Sequence, residues 1–130
     1  MSEEDKIYNL IGLAGRAGKA ISGADAVKAS LMRGKARILI CTRDISRGTL
    51  DKILSAAQKG ARKKSEPALY SFGESERLGM ALGRPPRTVL AIEDKGFADG
   101  LAQMLDDLNE EDADEPTRLL YFDLNDLDED

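Results

Sequence analysis

Cys41 is the natural first candidate for covalent chemistry, and it lies inside the apolar run of residues 37–42, RILICT. A thiol attacks as its thiolate, and a nearby base or cation must generate that thiolate. The 130-residue chain has no His and one Cys. Neither a Cys-His pair nor a Ser-His-Asp triad can be assembled, the commonest metal ligand is missing, and a disulfide framework or thiolate zinc site is excluded. Cys41 is therefore expected to be buried filler. Residues 12–20, GLAGRAGKA, resemble a phosphate loop in composition only. The first required Gly would fall on Leu13, and Ala20 follows Lys19 where a hydroxyl would have to hold Mg²⁺. A helix stop with a tight turn is the expectation there. The carboxylates gather near the C-terminus with nothing to organise them, so no cofactor, no metal site and no enzyme activity are expected.

The cations are more informative. Residues 1–105 hold 18 Lys/Arg against 12 Asp/Glu, whereas residues 106–130 hold 12 acids against Arg118 alone. The overall charge of −5 averages a basic body and an acidic tail. Lys28, Arg43, Arg47, Arg84 and Arg87 sit near turns and strand ends. If those turns share one end of a sheet, five cations converge on a helix N-terminus at Gly23, whose free N–H groups also favour phosphate. Few aromatics lie among them, which favours recognition of structured RNA by phosphate and shape over base stacking.

The elements that must position these residues follow from periodicity. Ile7, Tyr8, Leu10, Ile11 and Ala14 mark a first helix, stopped near Gly15 and Gly18. A short piece at Ala20 and Ile21 leads to a second helix through Val27 and Leu31. RILICT suits a central strand buried on both faces. Ile45, Leu50, Ile53, Leu54 and Ala57 define a third helix, with Asp44 and Ser46 as caps. Beyond Pro67 come strands over 68–72 and 88–92 and helices over 74–82 and 96–105. This α-β-α-β-α-β-α-β-α order predicts a three-layer α/β/α sandwich around a mainly parallel sheet. Residues 1–105 form the domain. Residues 106–130 carry too much like charge to pack and are expected to be disordered, with one aromatic segment at 118–127. No stretch approaches a membrane span, and the acidic N-terminus lacks the order of a secretory signal, so a cytoplasmic location is expected.

The run IYNLIGLAGRAGKAISGADAVKASLMRGKARILICTRDIS, with RLGMALGRPPRTVLAIEDKGFA after it, resembles the bacterial YlxQ-type branch of the kink-turn-binding ribosomal-protein superfamily, the L-seven-Ae / L-thirty-e type. The resemblance covers about residues 4–105. It implies an α/β/α sandwich with a mixed four-stranded sheet and RNA binding without catalysis. The superfamily turn G-x-N-E-x-T-K falls on Gly23 to Ala29. Gly23 is kept, Asp25 stands for the Asn, Ala26 replaces the Glu, and Lys28 precedes the Lys position by one residue. Arg43 occupies the place of an acidic contact after the central strand, and Arg84-Pro85-Pro86-Arg87 that of the contact loop before the last strand. The implied face is Gly23, Asp25, Lys28, Arg43, Arg47, Arg84 and Arg87, binding structured RNA, ribosomal RNA foremost, through phosphates and shape. The competing class is a protein-interaction module that has lost RNA contact and recruits a partner through residues 118–127.

Overall fold

Ser2 Oγ accepts the Asp5 N–H at 3.1 Å while an Asp5 carboxylate oxygen accepts the Ser2 N–H at 3.3 Å, a capping box that opens helix α1 (Glu3–Arg16). The helix buries Ile7, Tyr8, Ile11 and Ala14 and stops at Gly18, whose φ of 72° lets Lys19 N–H close on the Ala14 carbonyl at 2.8 Å. GLAGRAGKA is thus a helix end and a turn. In a computed structural model the chain continues through β1 (Ala20–Ser22), α2 (Ala24–Met32), β2 (Ile38–Cys41), α3 (Arg47–Ala61), β3 (Ala68–Ser71), α4 (Ser75–Ala81), β4 (Val89–Ile92) and α5 (Lys95–Glu111). The structure describes residues 1–64 and 66–111. Of the expected acidic tail at 106–130, residues 112–130, with the aromatic segment at 118–127, lie outside the described residues.

The sheet has the order β1-β4-β2-β3, which puts the RILICT strand inside it. Alternate residues serve two cores. Ile38, Ile40, Tyr70, Leu90 and Ile92 pack with α1, α4 and α5, while Leu39, Cys41, Leu69, Val89 and Ala91 pack with α2 and α3. The result is the expected three-layer sandwich, each fully buried Ile or Leu contributing about 1.5–3 kcal/mol.

The sheet is mixed. Only β2 and β3 pair in parallel; β4 runs antiparallel to both β1 and β2. The mainly parallel sheet inferred from alternating elements is corrected here, and the reason is local. A parallel return needs a crossover long enough to carry the chain back along the sheet. The segment between β3 and β4 contains only the seven-residue α4, about 10 Å of helix, so the chain re-enters the sheet at the end it left.

Helix α5 also runs past its expected end at Leu105, to Glu111. Leu101, Leu105 and Leu108 share one face against the core, and Asp106 accepts a 2.8 Å hydrogen bond from the Tyr70 hydroxyl. These contacts outweigh the like charge that argued for a stop.

Candidate nucleic-acid interface

Strand register decides what meets at the end of the sheet. Cys41 lies opposite Val89 and Ser71, and Ser22 opposite Leu90, so β1, β2 and β3 end where β4 begins. The Gly23 turn, the Arg43–Arg47 turn and the Arg84–Arg87 loop therefore share one end, as the expected face requires.

Gly23 is the N-cap of α2, with φ 92° and ψ 146°, a conformation that L side chains rarely adopt. It has no side chain to cap the helix, so the α2 N–H groups open outward beside exposed Ala24, Asp25 and Ala26. Asp25 sits in the first turn, where the helix dipole stabilises its carboxylate. Lys28 is exposed one turn further along.

The second turn is tied down from both sides. Thr42 N–H bonds to the Thr88 carbonyl and Arg43 N–H to the Gly73 carbonyl, each at 2.9 Å. Ser46 caps α3 by accepting the Thr49 N–H at 3.2 Å, as expected. Asp44, the other expected cap of α3, does a different job. Its carboxylate accepts the Ser75 N–H at 2.9 Å and the Ser75 hydroxyl at 2.5 Å, supplying to α4 the cap that Glu74 does not provide. The Ser75 and then the Thr42 hydrogen bonds hold the Asp44 carboxyl below its ordinary range. The Ser75 carbonyl in turn accepts the Arg87 N–H at 3.0 Å. Ser75 therefore joins three loops, a role that no motif in the sequence signals.

In the third loop Gly79 is indispensable, since a Cβ there would lie 2.3 Å from the Pro85 carbonyl oxygen. Its absence lets residues 84–87 fold over α4. One Arg87 terminal nitrogen donates to the Pro85 and Pro86 carbonyls at 3.4 and 3.3 Å, and its Nε is buried without a partner. Arg84 is exposed, and no ion pair links it or Lys28 to an acid among the described residues. Arg47 shares its charge with Asp51 at 3.0 Å. Between the second turn and the sheet lies a hollow of about 230 Å³, floored by Ile45 and Leu50 with Arg43 and Arg47 in its lining. Cys41 also lines it but is only 1% exposed, and burial pushes its thiol pKa up to about 12, so it is unreactive filler as expected.

The face thus consists of cations on three turns and the helix starts beside them, tied together by the Asp44–Ser75 and Ser75–Arg87 hydrogen bonds, beside an open helix N-terminus. A mixed four-stranded α/β/α sandwich with this arrangement is the architecture that the resemblance to the L-seven-Ae / L-thirty-e type implied. No family model matches the sequence. Individual relatives do. The chain is 34% identical over 101 residues to the RNA-binding protein YlxQ of Bacillus subtilis (strain 168), covering 76% of this chain and 94% of that protein. It is 35% identical over 101 residues to the RNA-binding protein YlxQ of Enterococcus faecium, covering 78% and 92%. Among solved structures, a Bacillus halodurans protein of unknown function superposes with a TM-score of 0.68 at 29% identity, over 78% of this chain and 97% of that one. The Giardia lamblia 15.5kD RNA binding protein shares the fold, with a TM-score of 0.62 at 19% identity over 85% and 91%. The chain belongs to the YlxQ family.

Proposed function

We propose that this protein is a non-catalytic, cytoplasmic RNA-binding protein that holds structured RNA, with ribosomal RNA as the target class, through the face of Gly23, Asp25, Lys28, Arg43, Arg47, Arg84 and Arg87. The observation that carries this reading is that three turns bring Arg43, Arg84 and Arg87, with Arg47 and Lys28 near the starts of the adjoining helices, to one end of the sheet, around the N-terminus of α2, which lacks a side-chain cap. Phosphate oxygens accept from these cations and from the α2 N–H groups. Asp25 is left as an acceptor for a base amino group, and the apolar hollow beside Arg43 and Arg47 takes an unstacked base whose phosphate rests on its rim. The relatives' names support the same reading.

Arg84→Glu combined with Lys28→Glu tests it, because both side chains are exposed. In fluorescence anisotropy with ribosomal RNA fragments, the double variant should bind more weakly across sequences. Its dependence of log Kd on log salt should be shallower by about one per lost phosphate contact. Unchanged affinity and slope would remove this face from the RNA reading.

A further inference from the structure

Cations also gather at the other end of the sheet, where α2 and α3 terminate. Arg33 is the C-cap of α2 and Arg62 that of α3. The two ends touch because glycine stands at both contact points. A Cβ on Gly60 would lie 1.7 Å from the Leu31 carbonyl oxygen, and one on Gly34 would lie 2.9 Å from the Gly60 carbonyl oxygen. Backbone bonds set the turns, with Gly34 N–H to the Leu31 carbonyl at 2.9 Å, and Lys63 and Lys64 N–H to the Gly60 carbonyl at 3.0 and 3.2 Å. The segments RGKAR (33–37) and KGARKK (59–64) are thereby laid side by side. Lys35, Arg37 and Lys64 line one hollow of about 360 Å³ together with Glu93.

Cations in a last helical turn commonly answer the helix dipole, and that accounts for Arg33, Lys59 and Arg62. It does not account for Lys35, Arg37, Lys63 and Lys64, which lie beyond the C-caps and are exposed. Among the described residues, Glu93 and Glu66 are the acids beside this cluster. Glu93 lies 3.9 Å from Arg33 and accepts the Ser30 hydroxyl at 2.7 Å, and Glu66 follows the basic run. Massing like charge at one spot costs the fold self-repulsion, which a polyanion relieves. Among the described residues no aromatic side chain lines the hollow, so the chemistry offered is to phosphate and not to stacked bases.

We propose that this end is a second RNA-binding surface, which takes the phosphodiester backbone of the same RNA that occupies the Gly23 face; it rests on the RNA reading above. The nine-residue α2, about 14 Å long, separates the two ends, so an RNA longer than this can engage both.

The experiment uses the full chain carrying Lys35→Glu, Lys63→Glu and Lys64→Glu, with folding verified by circular dichroism. Anisotropy titrations over a salt series employ an RNA duplex of about four turns. Duplex binding should weaken and its salt slope should fall by about 3. An unchanged duplex slope in the triple variant would overturn the second surface and leave the first intact. Tighter duplex binding would overturn it too, naming the chain's own acidic residues 112–130 as the occupant. A wild-type chain that did not bind the duplex would overturn the RNA reading itself, and this proposal with it.

Discussion

Ser75 and Asp44 illustrate how much of this surface depends on residues that would not themselves touch RNA. The Asp44 carboxylate takes two hydrogen bonds from Ser75, and Ser75 passes the constraint to Arg87 through its carbonyl. Asp44→Asn keeps the shape but loses the charge-assisted pair. Amide exchange at Ser75 should quicken in this variant while that of the central strand residue Ile40 stays slow, and RNA affinity should fall because Arg87 is no longer held. Exchange at Ser75 identical to wild type would mean that the link does not brace the loops. The sign of the pH dependence follows from the lowered carboxyl. Its stabilisation is fully present above the unfolded value near 3.8 and is lost as pH falls through the lower folded value. The stability gap between wild type and Asp44→Asn in urea unfolding should therefore be present at neutral pH and shrink below about pH 3.8.

At the scale of elements, glycine decides how closely helices approach. Gly60 admits the Leu31 carbonyl so closely that any side chain must push α2 and α3 apart. Gly60→Ala should cost about 1–3 kcal/mol or more, read as a lowered Tm, because the obstacle is backbone and cannot rotate away. Gly48 is the matched control. It lies in α3 with nothing within 4 Å of a built Cβ, so Gly48→Ala should be neutral or stabilising by up to about 1 kcal/mol. Equal effects at the two sites would show that contact between the helix ends is not what Gly60 provides. The short α4 acts at the same scale, since its seven residues turn β4 antiparallel and bring Arg84 and Arg87 to the end that Gly23 and Arg43 occupy.

For the whole molecule, the opposite signs of body and tail are the dominant fact. Leu108 packs on the core and α5 reaches Glu111, so the folded body runs past the residue 105/106 division expected from charge. Residues 112–130 carry eight acids against Arg118. Ending the chain at Glu111 should tighten RNA binding and steepen its salt dependence, because a polyanion tethered to a basic body competes with RNA. Unchanged RNA affinity, combined with loss of a captured protein partner, would favour recruitment through residues 118–127.

The sequence alone was enough for the element order, the central position of RILICT, the buried and inert Cys41, the failed phosphate loop and the basic body. Each of these depends on local periodicity, on charge, or on a residue type that is missing. Strand direction was not legible from periodicity, and the mixed sheet came only from the family resemblance, because direction depends on whether α4 and its loop can span the sheet, a length set by three-dimensional packing. Nor was the end of α5, where Tyr70 and the leucine face outweighed charge repulsion. The Asp44–Ser75–Arg87 link and the meeting of Gly34 with Gly60 join residues far apart in the chain. Neither member of such a pair carries a mark of the other, and only the folded register brings them within bonding distance.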